Sequence, residues 1–348
     1  MRVVPKPLAS TTVYPTVFPN VEWVSGLPDS DVDTAHLRRE IASNIGDQEH
    51  TGTTLALLVI HRGRLVAESY AEGVDQNTAL ISWSMAKSIT HSLVGIAYGE
   101  GLIDPAAHAP ISQWRNDERS AITLQHLLNM RSGLSWVEDY VDGDASDVIE
   151  MLFGSGVGDH AAYAIAQPLA EPVGKTWMYS SGTTNIICRI LGDVLGDTHG
   201  HSQCMAAFIQ HRLFDALGMT SATIQFDAAG TFVGSSYVHA TAQDFGRFGY
   251  LYLNDGVWEG KRILPLGWVD HGRSATAHDH DTGLGYGAHW WTLPQESGSL
   301  AACGYEGQYM MVIPQRDLVV VRLGKTPAEK RRAVVDSLTR IIETFPCH

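Results

Sequence analysis

Two stretches near opposite ends of the chain carry the pattern of paired strands, and this limits how the chain can fold. "TTLALLVIHRGRLVAESYAEG" holds two apolar, β-rich runs, Leu55–His61 and Leu65–Tyr70, on either side of Arg62-Gly63-Arg64. "YMMVIPQRDLVVVRLG" repeats the arrangement around a Pro-Gln-Arg-Asp turn. Runs of this kind broken by turn residues read as hairpins. An isolated hairpin is marginal in water, so the two are expected to join in one antiparallel sheet. From Met85 to about Tyr252 the patterns are mostly helical, as in "TLQHLLNMRSG", "SDVIEMLFG", "TTNIICRILGDVLG" and "QDFGRFGYLYLNDG".

The expected organisation is therefore an α+β chain. An irregular N-terminal arm covers 1–28, an α/β sheet lobe 29–84 and 253–348, and a mostly helical lobe 85–252. A cleft is expected at their seam. Each end also offers a helix. "DVDTAHLRREIASNI" has Asp and Thr capping candidates, and in "TPAEKRRAVVDSLTRIIETF" Thr326 is the expected N-cap, with Pro327 first in the helix and Glu329 closing a capping box.

The net charge of −14 repels phosphate backbones and anionic lipid, so neither nucleic acid nor a membrane surface is an expected partner. The N-terminus as written lacks a secretory pattern, and no run approaches a spanning length. Cys188, Cys204, Cys303 and Cys347 show no zinc-site spacing and read as free thiols in a reducing compartment, so a cytoplasmic location is expected. "HDHD" (His278–Asp281) and "HGH" (His199–His201) are polar, loop-like stretches without a further ligand at helical or strand spacing; no metal site and no cofactor are expected. His91 reads as a core histidine.

"ISWSMAKSITHSLVGIAYGEGLID" places Ser84 three residues before Lys87, at the start of a strongly apolar helical run. Ser84 as a mere cap and Lys87 as a snorkelling surface lysine is the plain reading. Against it, a lysine on a buried helix needs a partner. Residues three apart share a helix face, so the amine reaches the serine oxygen; desolvation lowers its pKa and makes it a base. No serine has glycine at both −2 and +2, which excludes the α/β-hydrolase nucleophile elbow, and "GSGVG" and "GLGYG" read as loops, not phosphate cradles.

These residues, with "ITLQHLLNMRSGLSW", "KTWMYSSGTTNIICRILGDVLG", "ATAQDFGRFGYLYLNDGVWEGKRILP" and "CGYEGQYMMVIPQRDLVVV", resemble the penicillin-binding-protein and β-lactamase superfamily. The likeness is to its class C-like serine hydrolases, and in look to 6-aminohexanoate-dimer hydrolase-like and esterase-like members, over roughly residues 50–345. The resemblance implies a β-lactamase/DD-peptidase-like fold and three motifs: Ser84 with Lys87, Tyr179-Ser180-Ser181, and Tyr305-Glu306-Gly307. It further implies an acyl-Ser84 intermediate, Lys87 and Tyr179 as the acid/base pair with the base left open between them, and an oxyanion hole from the backbone N–H groups of Ser84 and Gln308.

Two departures bear on substrate. Tyr305 stands where the family places a lysine that helps bind a substrate carboxylate, and Ser181 replaces an asparagine that holds an acylamino group. Neutral or cationic carboxylic esters and small amides are thus expected as substrates, with Ser181, Tyr305, Gly307, Trp136 and Trp290 as substrate-binding residues. A β-lactamase or D-amino-acid peptidase is the alternative within the family, and a non-catalytic ligand- or partner-binding member the alternative outside enzymes. Nothing in the sequence announces an oligomer interface.

Overall fold

The computed structural model describes residues 18–19, 22–140, 146–280 and 282–347. Its centre is a nine-stranded sheet in which every pairing is antiparallel. The strands are β1 (Gly46–Gln48), β2 (Gly52–His61), β3 (Arg64–Tyr70), β4 (Ala277–His278), β5 (Gly285–Tyr286), β6 (Trp291–Thr292), β7 (Leu300–Gly304), β8 (Gln308–Ile313) and β9 (Leu318–Lys325). From β2 the order runs β9, β8, β7, β6, β5, β4, and both β1 and β3 pair with β2. The two terminal hairpins meet where β2 pairs with β9 from Thr53–Lys325 to His61–Leu318.

Turn chemistry sets both hairpins. Arg62 and Gly63 have φ of 51° and 74°, the double left-handed turn whose twist matches paired strands. Asp317, at φ 45°, closes the other turn, and its carbonyl accepts from Arg62 N at 2.9 Å.

Both faces of the sheet are buried, so its strands read as continuous apolar runs. Alternate residues go to different layers: Ala56, Leu58 and Ile60 of β2 join one core with Met310, Val312, Val319 and Val321, while Leu57 and Val59 join another with Met311, Ile313, Leu318 and Val320. The second core is closed by the terminal helices α1 (Thr34–Asn44) and α5 (Arg331–Glu343) through Leu37, Ile41, Leu338 and Ile341. The first is closed by α2 (Ala86–Gly99) and α4 (Ala242–Leu253), behind which stand α3 (Ser181–Leu195) and shorter helices.

Two expectations change. The helix over 242–253, expected in the helical lobe, packs on β8 and β9. Glycines at its contact face permit this: a Cβ at Gly249 would lie 2.7 Å from Val319 Cγ1, and one at Gly246 2.6 Å from Ile60 Cδ1. At the C-terminus, Thr326 does not cap a helix. Its hydroxyl donates to Thr51 O at 2.7 Å and its N–H to Glu306 O at 2.9 Å. Residues Ala328–Lys330 form a 3-10 turn, and α5 begins at Arg331 without a side-chain cap. Asp33 does cap α1, accepting from His36 N.

Of the expected arm, 1–17, 20 and 21 lie outside the described residues. Val24 to Gly26 run beside β3, hydrogen-bonded to both backbone groups of Leu65. Among the described residues no helix is long and apolar enough to cross a membrane.

Candidate active site

Ser84 stands in a 3-10 turn, Trp83–Met85, that leads into α2. Lys87 follows as the second residue of the helix and is only 2% exposed. Its Nζ lies 2.9 Å from Ser84 Oγ, 2.9 Å from Ser181 Oγ and 3.1 Å from Ser235 O. Burial pushes the Lys87 amine down to about 8, against an upward pull from the charge of Glu138. Ser181 donates its hydroxyl to Glu138 Oε1, so Ser181 Oγ and Ser235 O accept from Lys87; Ser84 Oγ accepts a third N–H of the charged amine, and on deprotonation the lone pair can face the Ser84 hydroxyl.

Tyr179 precedes Ser180, which caps α3 by accepting from Thr183 N. Its ring stacks on Trp291 (5.5 Å, 28°), and Lys87 Nζ lies 4.8 Å from the ring centroid. Burial raises the phenol well above its ordinary value; the charge of Glu138 acts in the same sense, and a hydrogen bond with Ser84 opposes both. The first two motifs therefore converge on one serine, with an amine made easier to deprotonate and a phenol made harder.

Glu138 is the residue that sequence reasoning missed. One carboxylate oxygen accepts from Ser181 N (2.8 Å) and Trp136 Nε1 (2.6 Å), and the other accepts from the hydroxyls of Ser181 and Tyr140. It is the only anion tied directly into the described serine–lysine network. "SWVEDYVDG" follows the recognisable "MRSGL", but nothing in that spacing marks Glu138 over its acidic neighbours. Residues 141–145 lie outside the described residues.

The site opens into a cleft of about 570 Å³ whose wall includes Ser84, Tyr140, Tyr179, Trp291, Tyr305 and Arg331. Tyr305 faces it, stacked on Tyr140 (4.6 Å, 25°). The other substrate-binding expectations change. Ser181 is fully buried and holds Lys87. Trp290 is core, packed on Tyr252 and Phe248, while its neighbour Trp291 lines the cleft. Trp136 is 7% exposed and lies behind the site, where a Cβ on Gly182 would come within 2.5 Å of its ring.

Gly307 and Gln308 also stand outside the cleft wall. Gly307 has φ 77°, and its carbonyl accepts from Arg322 Nη1 at 2.7 Å. Gln308 pairs with Gly304 in the ladder, and its side-chain amide holds Gly324 N, Gly324 O and Tyr305 O. On this third segment it is Cys303, Gly304 and Tyr305 that reach the cleft. Gly304 is needed there, because a Cβ would lie 2.4 Å from Ser82 O.

A serine against a buried lysine, at the meeting of a two-sided antiparallel sheet and a helical part, defines a β-lactamase-like hydrolase fold. The chain belongs to the Beta-lactamase family, whose model matches residues 39–342. It is 28% identical over 294 residues to the 6-aminohexanoate-dimer hydrolase of Paenarthrobacter ureafaciens, covering 79% of this chain and 73% of that one. Among solved structures it is similar to the "Putative 6-aminohexanoate-dimer hydrolase" from Bacillus anthracis, with a TM-score of 0.74, 21% identity and coverage of 94% and 88%. The octameric penicillin-binding protein homologue from Pyrococcus abyssi matches with a TM-score of 0.63, 15% identity and coverage of 88% and 77%. These likenesses to solved structures concern the fold.

Proposed function

We propose that this hydrolase cleaves linear carboxylic esters and small amides through an acyl-Ser84 intermediate. The observation that carries the reading is the Lys87 amine, buried and lowered to about 8, at 2.9 Å from Ser84 Oγ. Neutral Lys87 takes the Ser84 proton as Oγ attacks the carbonyl carbon. The tetrahedral oxyanion is received by backbone N–H groups. Ser84 N–H is one, and Tyr305 N–H is taken as the other in place of the expected Gln308, a choice supported by Tyr305 lining the cleft, which Gln308 does not. Tyr179, protonated at neutral pH, relays a proton to the leaving group, and water then attacks the acyl-enzyme by the reverse path. No cofactor enters this scheme, and the partner is a small molecule.

The aromatic wall of Tyr140, Trp291 and Tyr305 suits an extended apolar chain flanking the scissile bond. The likeness to a 6-aminohexanoate-dimer hydrolase supports an amide as one substrate class.

The test is a burst assay with p-nitrophenyl butyrate, wild type against Ser84→Ala. A burst equal to the enzyme concentration, lost in the variant, is expected. Equal, burst-free turnover in both proteins would remove Ser84 as nucleophile.

A further inference from the structure

Arg322 of β9 is 1% exposed, yet among the described residues none of its partners is a carboxylate. Nε donates to Thr54 Oγ1 at 3.1 Å. Nη1 donates to Gly307 O at 2.7 Å and Glu306 O at 3.3 Å, and Nη2 to Thr53 O at 3.1 Å and Thr51 O at 3.3 Å. The fork is thus filled by neutral acceptors alone. Burial lowers the group only to about 10, so it keeps its charge at neutral pH. A buried cation without a counter-ion costs much in desolvation and calls for a role.

Its acceptors lie on two sides. Thr51, Thr53 and Thr54 stand at the start of β2, a strand inside the central sheet. Glu306 and Gly307 belong to the turn between β7 and β8, whose first residue, Tyr305, lines the cleft with Ser84. Arg322 therefore ties this turn to the sheet. The remaining turn carbonyl, that of Tyr305, accepts from Gln308 Nε2 at 3.1 Å, and Glu306 O also accepts from Thr326 N at 2.9 Å. Glu306 is left-handed at φ 58°, a conformation that persists only where its surroundings hold it. The fit has no slack: a Cβ on Gly307 would lie 2.5 Å from Arg322 Nη1, and one on Gly324 2.6 Å from Arg322 Cζ.

An oxyanion hole needs donors that are fixed before the charge develops. Ser84 N–H is fixed by the turn that leads into α2, whereas the donor at Tyr305 sits on a turn whose carbonyls are held from behind. Bonds from a charged donor are roughly twice as strong as neutral ones, and a planar fork spans both sides at once. We propose that Arg322 is the positioning residue of the oxyanion hole: it clamps the Glu306 and Gly307 carbonyls to the start of β2 and so fixes the N–H of Tyr305. This rests on the acyl-Ser84 reading and names what holds its second oxyanion donor. Arg322 stands outside the cleft wall and touches no reacting atom, so its effect falls on the transition state rather than on substrate binding.

The test pairs kinetics with two inhibitors in wild type, Arg322→Lys and Thr54→Val. Butylboronic acid takes Ser84 Oγ onto boron, the serine proton passing to Lys87, and the tetrahedral adduct places an oxygen in the hole. The ether p-nitrophenyl butyl ether fills the cleft without such an oxygen. With p-nitrophenyl butyrate, Arg322→Lys is expected to lower kcat about tenfold with KM within about twofold of wild type. It should weaken the boronic acid about tenfold while the ether holds within about twofold. Thr54→Val, which removes only the Nε acceptor, should shift the boronate-to-ether ratio the same way by about threefold. If Arg322→Lys does not fold, the Thr54→Val ratio decides alone. Both inhibitors unchanged, or both weakened equally as in a general distortion of the cleft, overturns the proposal. A wild-type burst lost in Ser84→Ala, alongside such a result, leaves the nucleophile standing; a missing wild-type burst removes the nucleophile and the proposal with it.

Discussion

Trp83 and Glu306, two non-glycine residues in the left-handed region at φ 44° and 58°, are hydrogen-bonded to each other, Nε1 to Oε2, at 3.3 Å. One precedes Ser84; the other follows Tyr305. Backbone in this region is strained and persists only where its surroundings hold it. The bond links the turn that carries the nucleophile to the turn that reaches the cleft from β7, and the Trp83 ring meets Tyr305 edge-on at 5.7 Å. Glu306→Ala should lower kcat about tenfold with KM nearly unchanged, because a small displacement of either turn misaligns attack. Trp83→Phe combined with Glu306→Ala should be no worse than either alone. Additive losses in the double variant would show that the two side chains act separately.

The rate should rise with pH through the Lys87 titration. The active form is the neutral amine, so with its pKa at about 8 kcat/KM is expected to climb about tenfold per unit below pH 8 and level off above it. Lys87→Met, which keeps the buried volume and removes the base, should lower turnover at least about 10²-fold and abolish this limb. A pH profile in the variant parallel to wild type would assign the limb to another group.

Tyr179→Phe keeps the stack on Trp291 and removes only the hydroxyl. A loss of at least about 10²-fold is expected, larger for an amide than for a p-nitrophenyl ester, whose leaving group needs no proton. Equal effects on both substrates would argue against proton donation to the leaving group.

Glu138→Gln removes the charge that holds the Lys87 amine up against desolvation. The rising limb should therefore move to lower pH. A midpoint that stays in place or moves upward would contradict the electrostatic assignment.

Acid should destabilise the fold through histidines that the chemistry does not use. His91 bonds Tyr252 OH (2.8 Å) and His271 (3.1 Å), and His289 bonds Thr184 and Leu128 O. Burial lowers His271 to about 4 and His289 to about 3, and puts His91 well below its ordinary value. Folded values lie below the unfolded ~6.5, so the unfolded chain takes up protons first. The contribution is present above about pH 6.5 and is lost as pH falls towards the folded values, at about 1.4 kcal/mol per unit for each group. Urea unfolding at pH 7.5 and 5.5 should differ by at least about 2 kcal/mol. Equal stabilities would mean these rings are not buried as neutral species.

The sequence by itself determined what local pattern can carry. Hairpin signals around Arg62-Gly63 and Pro314–Asp317 placed the sheet at the two ends of the chain. The spacing of Ser84 and Lys87 put an amine beside a hydroxyl, and Tyr179 could be matched through its motif. These are short-range or segment-wise properties. Tertiary structure decided the rest, because the deciding partners are far apart in the chain. Glu138 meets Ser181 across 43 residues, and Thr326 leaves its expected cap for a carbonyl 275 residues away. Trp290, just before β6, packs in the core against Tyr252, while Trp291, first residue of β6, lines the cleft, a division set by the tertiary neighbours of each ring. Arg331 joins the site only because α5 folds back over the sheet, and no spacing measured along the chain records that approach.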